Sequence, residues 1–236
     1  MNQATKILAF CFILTAASAV FAQQNLSSVP QNVIQLSANG VVEVPQDLLS
    51  ISMSTTRDGP EANSVQTALK SAVDAALTEA KKSTQSGQLE VRTGNFSLYP
   101  RYDRDGKSIG WQGRAELVLE GRDFIRITST AGRIKTLTLA NVSFGLSREQ
   151  QSRVETEAQS LAIEGFKARA SEIAQAFGFT SFTLREVNVS VQNSDFSPRP
   201  RLMAMQAKVT NADAPVSVEA GKTSVVVTVS GAVQLK

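Results

Sequence analysis

The chain predicts an α+β fold, mainly antiparallel sheet with helices packed on one side. Three observations predict it. Apolar residues alternate with period two in seven stretches, and in three others they recur at helical spacing. The two kinds of segment interleave as β-β-α-β-β-α-β-α-β-β, with strands often adjacent in order. The portion from Leu48 to Leu146 reads β-α-β-β-α-β, a split ferredoxin-like unit, and a long third helix and C-terminal strands follow it.

The first segment is not part of that pattern. Met1–Ala22 has a positive start at Lys6, an apolar run from Ile7 to Val20, and small residues at Val20 and Ala22 placed for cleavage before Gln23. The expectation is a secretory signal cut between Ala22 and Gln23, and a periplasmic mature chain. The run is too short for a membrane span, and no second one is long enough. Cys11 follows Leu8 at lipoprotein spacing, but Phe10 is bulky where a small residue is needed and the apolar run continues, so lipidation is not expected. Residues 23–32, with Pro30, read as a polar arm.

From Val33 one face carries Ile34, Leu36, Ala38, Val42 and Val44, with Gly40 interrupting and Pro45 ending the strand. Leu49, Ile51, Met53 and Thr55 form the apolar face of a second. Asp58-Gly59-Pro60 reads as a helix start, and Val65, Leu69, Val73, Ala76 and Ala80 as its apolar stripe, with Gly87 as the stop. In Leu89–Tyr99 the apolar parity shifts across Gly94, which predicts a bulge. Arg101–Ser108 is a turn around Asp105-Gly106, and Trp111–Glu120 returns with Trp111, Ala115, Leu117 and Leu119 inward. A short helix is expected over Asp123–Ala131, anchored by Phe124 and Ile127, and Leu137–Leu146 is extended again.

Ser147 reads as the N-cap of the longest helix, with Gln150 completing a capping box. Its predicted stripe is Leu161, Ala162, Phe166, Ala170, Ile173 and Phe177, and Gly178 ends it. Phe182–Val191 is a strand, residues 193–215 form a long proline-bearing loop, and Thr223–Leu235 closes the chain with Val225, Val227, Val229, Val233 and Leu235 inward.

Composition excludes more than it suggests. There is no histidine, and the only cysteine is Cys11, inside the signal. A mature chain without thiol or imidazole has no Cys–His or Ser–His–Asp nucleophile, no zinc cluster and no disulfide, so neither a catalytic site nor a metal or other cofactor is expected. Hydrophobic content of 42% with 19% charged residues suits a folded core rather than disorder. The formal charge of +3 falls to +2 when the acid-free signal leaves with Lys6, too small an excess to predict nucleic-acid binding.

Candidate site residues are correspondingly few. Asp103-Arg104-Asp105-Gly106 has the start of a calcium loop, but Lys107 stands where a further ligand is required, so a hairpin turn with solvated acids is the reading adopted. Paired carboxylates remain open to glycoside hydrolysis, although the acids fall mainly in turns and on polar helix faces. Tyr99, Tyr102 and Trp111 flank one hairpin and are candidates for a sugar- or peptide-binding platform, against ordinary cross-strand packing. Arg199 and Arg201 are candidates for anionic lipid, against simple solvation of their loop. Met53, Met203 and Met205 are oxidisable, against a plain role in core or loop.

Three passages resemble the SIMPL-domain family of exported bacterial proteins, a domain of unknown function. These are Ser37-Ala38-Asn39-Gly40 with Val44-Pro45-Gln46-Asp47-Leu48-Leu49-Ser50-Ile51, then Thr93-Gly94-Asn95-Phe96-Ser97-Leu98-Tyr99-Pro100-Arg101-Tyr102-Asp103, and Val142-Ser143-Phe144-Gly145-Leu146-Ser147. The proline-bearing loop before the valine-rich strand is similar too, so the resembling domain runs over residues 33–236. The resemblance implies a periplasmic or cell-envelope protein, with some relatives tied to oxidative-stress defence, others immunogenic, and some forming large homo-oligomers. It supplies no catalytic residues. The chain departs from the pattern at Arg122–Arg133, where Ile125, Ile127, Thr128 and Thr130 lower helix propensity.

Three functions follow, in order. The first is a non-enzymatic, self-assembling envelope protein, expected as a closed or stacked ring because a long, charge-poor valine strand must be covered and closure leaves no unpaired interface. The second is a binding module for a small ligand or partner, and the third a carboxylate hydrolase.

Overall fold

The computed structural model describes residues 31–193 and 218–236. The signal, most of the polar arm and nearly all of the 193–215 loop lie outside them. In chain order the elements are β1 (Val33–Pro45), β2 (Leu48–Gly59), α1 (Ala62–Lys81), β3 (Glu90–Tyr102), β4 (Ser108–Gly121), α2 (Phe124–Arg133), β5 (Thr138–Gly145), α3 (Arg148–Ala176), β6 (Phe182–Asn193) and β7 (Lys222–Leu235). The predicted order holds throughout, and the fold is α+β with every strand pair antiparallel.

The strands divide between two sheets, a partition that order alone does not give. One is four-stranded with order β3-β4-β2-β5, the ferredoxin-like arrangement expected of the middle portion. The other is three-stranded with order β1-β7-β6. Helices α1 and α2 pack on one face of the first sheet, around Leu49, Ile51, Met53, Leu117, Leu119 and Ile127. Helix α3 packs on one face of the second, over Val44, Val225, Val227, Val229 and Val233. Strand β7, the long valine strand that needed cover, finds it inside the protomer as the centre of its sheet, paired with β1 on one side and β6 on the other.

Local chemistry explains most boundaries. The register of β3 on β4 breaks between Thr93 and Phe96, the bulge that Gly94 predicts. Helix α2 forms despite its β-branched residues because Asp123 caps it, accepting from Arg126 N at 2.9 Å, while Thr128 Oγ1 donates back to Phe124 O at 2.8 Å and Ile127 is fully buried. Gly178, at φ 81°, ends α3: Phe179 N donates to Ala174 O and Gly178 N to Gln175 O, a left-handed C-cap.

Four local expectations are corrected. Asp58 starts no helix; it belongs to β2, and α1 begins after Glu61, whose side chain makes no cap bond. Gly87 does not stop α1, which ends at Lys81; at φ 70° it serves the turn where Gln85 and Leu89 bridge. On α3 the buried stripe is Val154, Ala158, Ala162, Phe166, Ala170 and Ala174, so Leu161 and Phe177 are exposed flanks. Strict four-residue spacing with small side chains lets the helix lie close to β1, where a Cβ at Gly40 would run into the Ala158 carbonyl. The capping box is half formed: Ser147 Oγ accepts from Gln150 N, but Gln150 Oε1 turns to Arg153.

The missing half of that box comes from a hundred residues away. Asp47, in the two-residue link between β1 and β2, accepts from Ser147 N at 2.7 Å and from Ser147 Oγ at 2.6 Å. Beside it Gln46 N donates to Gly221 O at 3.0 Å and Gln46 Nε2 to Phe144 O at 3.3 Å. One short link thus ties the start of α3, the end of β5 and the approach to β7.

Candidate functional site

The hairpin aromatics do not form one platform. Register places Trp111 opposite Pro100 and Gly59, on the helix-covered face, where it packs with Val65, Leu69 and Ala115. Tyr99 lies opposite Gln112, on the uncovered face, and is exposed, as is Tyr102 near the tip. Tyr99 instead shares its face with a polar group that the sequence reading missed. Asp58 Oδ1 accepts from Gln112 Nε2 at 2.8 Å and from Arg101 Nη1 at 3.5 Å. Period-two parity, applied to the polar rather than the apolar residues, is the signal that would have found it.

The hairpin turn uses its acid internally. Asp103 Oδ1 accepts from Asp105 N at 3.0 Å and Lys107 N at 2.8 Å, so this carboxylate closes the turn. Among the described residues no group of three or more Asp, Glu, His or Cys side chains is placed to hold a metal ion. Glu90 and Glu120 are the facing acids of the uncovered side, directly opposite in register. Each is engaged: Glu90 Oε1 accepts from Gly87 N at 3.3 Å, and Glu120 lies 3.9 Å from Arg92. Perturbed titration falls elsewhere, on ion pairs. Glu79 is held below the usual carboxylate range by Lys82 and then Arg133, Asp123 by the backbone N–H and then the guanidinium of Arg126, while Glu43 raises Lys222.

A shallow concavity of about 470 Å³ lies on the β1-β7-β6 sheet. Ser230, Gly231 and Ala232 make a low floor in the central strand, between Gln35, Leu36 and Ser37 of β1 and Glu186 and Asn188 of β6. The register break between Leu184 and Glu186 brings Glu186 opposite Ala232, at the rim of the dish. It offers amides, hydroxyls and one acid, without an aromatic side chain. Arg199 and Arg201 lie outside the described residues, as do Met203 and Met205. Met53 is a core residue, 3% exposed.

Residues 34–233 match SIMPL, described as a protein of unknown function (DUF541). The chain belongs to the SIMPL family. The first and third passages that carry the resemblance meet in this SIMPL domain, where Asp47 of one binds Ser147 of the other. The second passage is β3 itself, with its bulge and the Asp103 turn. No curated protein matches the chain. Solved structures of AtUAH in complex with (S)-hydroxyglycine and with glyoxylate are similar at 14% and 15% identity and TM-scores of 0.26 and 0.25. They cover 56% and 55% of this SIMPL chain, which spans about a third of theirs (34% in both). Likeness at that level carries no argument. No described helix is long and apolar enough to cross a membrane.

Proposed function

We propose that this SIMPL protein is a non-enzymatic, self-assembling component of the cell envelope, working in the periplasm once its leader is removed. The observation that carries the reading is the spread of large exposed apolar side chains over separate elements. Phe96 and Tyr99 stand out on β3, Ile125 on α2, Leu161 on α3, Phe177 at its end, and four residues on β6. Scattered singly such residues need no explanation, but the four on β6 share one face, a grouping that suits contact with a neighbouring copy. The assembly proposed is a closed symmetric ring, since closure leaves no unpaired interface.

A link to oxidative-stress defence is what the family resemblance implies. Buried Met53 is no sacrificial thioether. Light scattering of the mature chain across a wide dilution range tests the assembly: a defined multimer that persists to micromolar concentration is expected, and a monomer there refutes it.

The dish over Ser230–Ala232 favours a second reading, a binding module for a small polar ligand. Saturable shifts of the Gln35 and Asn188 amide resonances in a monomeric protein would put it first.

A further inference from the structure

Among the described residues, strand β6 has two unpartnered surfaces along one stretch. It is an outer strand of the β1-β7-β6 sheet, so among the described residues no strand lies beside its far side. Leu184, Val187, Val189 and Val191 lie opposite Val233, Gly231, Val229 and Val227, on the face that α3 covers over β7. Over β6 the described cover is thinner, since α3 meets this strand less than β1 or β7, and the four are 52%, 45%, 42% and 46% exposed.

The other described edges are guarded. β1 carries Glu43 and Pro45, and Arg169 Nη1 donates to its Ser37 carbonyl at 3.2 Å. β3 has Arg92, Pro100 and Arg101 besides its bulge, and β5 is only 8 residues long with a register break against β2. From Val187 to Val191, β6 has no charge, no proline and no bulge.

We propose that β6 pairs with β6 of a second copy of this chain, antiparallel across a two-fold axis at Val189, so that the sheet runs from one protomer into the next. The inference rests on the self-assembly reading and names one of its interfaces. The segment is self-complementary in that register. Val189 meets its own copy, Val187 meets Val191 on the same face, and Asn188 meets Ser190 on the other. Charge does not oppose it, because the two Glu186 carboxylates stand about 20 Å apart along the strand, beyond the roughly 8 Å screening length at physiological salt. Area sets its strength. Four side chains exposing about half their surface fall short of the ~800 Å² per partner of a stable dimer, so this contact alone is weak and acts as one of several.

The lone cysteine of the chain is Cys11, so Val189→Cys in a Cys11→Ser background installs a single thiol. Directly opposed residues of an antiparallel pair have Cα atoms about 4.5–5.5 Å apart, within disulfide range. Mild oxidation should therefore link Val189→Cys into dimers at least about tenfold faster than the exposed Asn39→Cys on β1, and Val189→Lys should weaken the dimer by a similar factor. If Val189→Lys fails to fold, as circular dichroism would show, the cysteine pair decides alone. Equal linking at both positions, no linking, or an unchanged mass for folded Val189→Lys overturns the β6 contact. Any of these beside a wild-type multimer leaves self-assembly standing and assigns the edge to another segment or another protein. A wild-type monomer at every concentration, with no linking, overturns both.

Discussion

Asp123 holds two jobs with one carboxylate: Oδ1 caps α2 and Oδ2 takes Arg126 Nε at 3.0 Å. Those bonds lower its folded pKa, so the stability they add is fully present above the unfolded value near 3.9 and is lost as pH falls through the folded pKa. Asp123→Ala should cost about 1 kcal/mol at pH 7, and the difference from wild type should shrink steadily below about pH 4. Urea denaturation at pH 7 and pH 3 measures it; a difference independent of pH would show that the charged form is not what matters. The residue scale was partly legible in advance. Asp123 and Ser147 have cap chemistry in plain view, but Asp47 as the partner of Ser147 spans a hundred positions, and no local pattern announces it. Alternation puts Trp111 inward with Ala115 on β4 and Tyr99 opposite in parity to Leu98 on β3, so the divided aromatic pair was readable strand by strand.

At the scale of elements, the order of strands and helices follows from periodicity because each element buries one face. Which strands neighbour one another does not, since pairing across more than a hundred residues leaves no trace in a local window. Gly40 shows the limit well. On β1 it reads as an interruption, yet it keeps the inward parity of Ala38 and Val42 and marks where α3 lies against the strand. Gly40→Ala should therefore cost about 3 kcal/mol, because backbone atoms of Ala158 and Ala162 would have to retreat. Gly145→Ala, where an added Cβ would meet nothing within 4 Å, should fall within about 0.5 kcal/mol of wild type. Thermal melts of the two side by side distinguish contact from mere glycine replacement, and equal losses would remove the close-approach account.

At the scale of the whole domain the described core falls into two parts, two clusters beneath the four-stranded sheet and one beneath the three-stranded sheet, and Asp47 stands at the link between them. Removing its carboxylate touches neither core but frees Ser147 N and Oγ at the head of α3. Asp47→Ala should cost about 2 kcal/mol, a figure typical of charged, partly buried hydrogen bonds. Its thermal transition should also broaden, with a van't Hoff enthalpy below the calorimetric one as the two sheets melt apart. A single sharp two-state peak for this variant would mean that the cores are coupled by something other than the link.

The topology also dictates an order of events. The four-stranded sheet is built entirely from the contiguous stretch Leu48–Gly145, whereas β1, the first strand made, pairs only with β7, the last. Any process that delivers the chain from its N-terminus, synthesis or threading through a pore, presents the ferredoxin-like unit whole while Val33–Pro45 waits without a hydrogen-bonding neighbour. Until Lys222–Leu235 arrives, α3 has only half a surface to lie on. The second sheet can therefore close only when this valine strand has joined it, which makes β7 the clasp between its two neighbours.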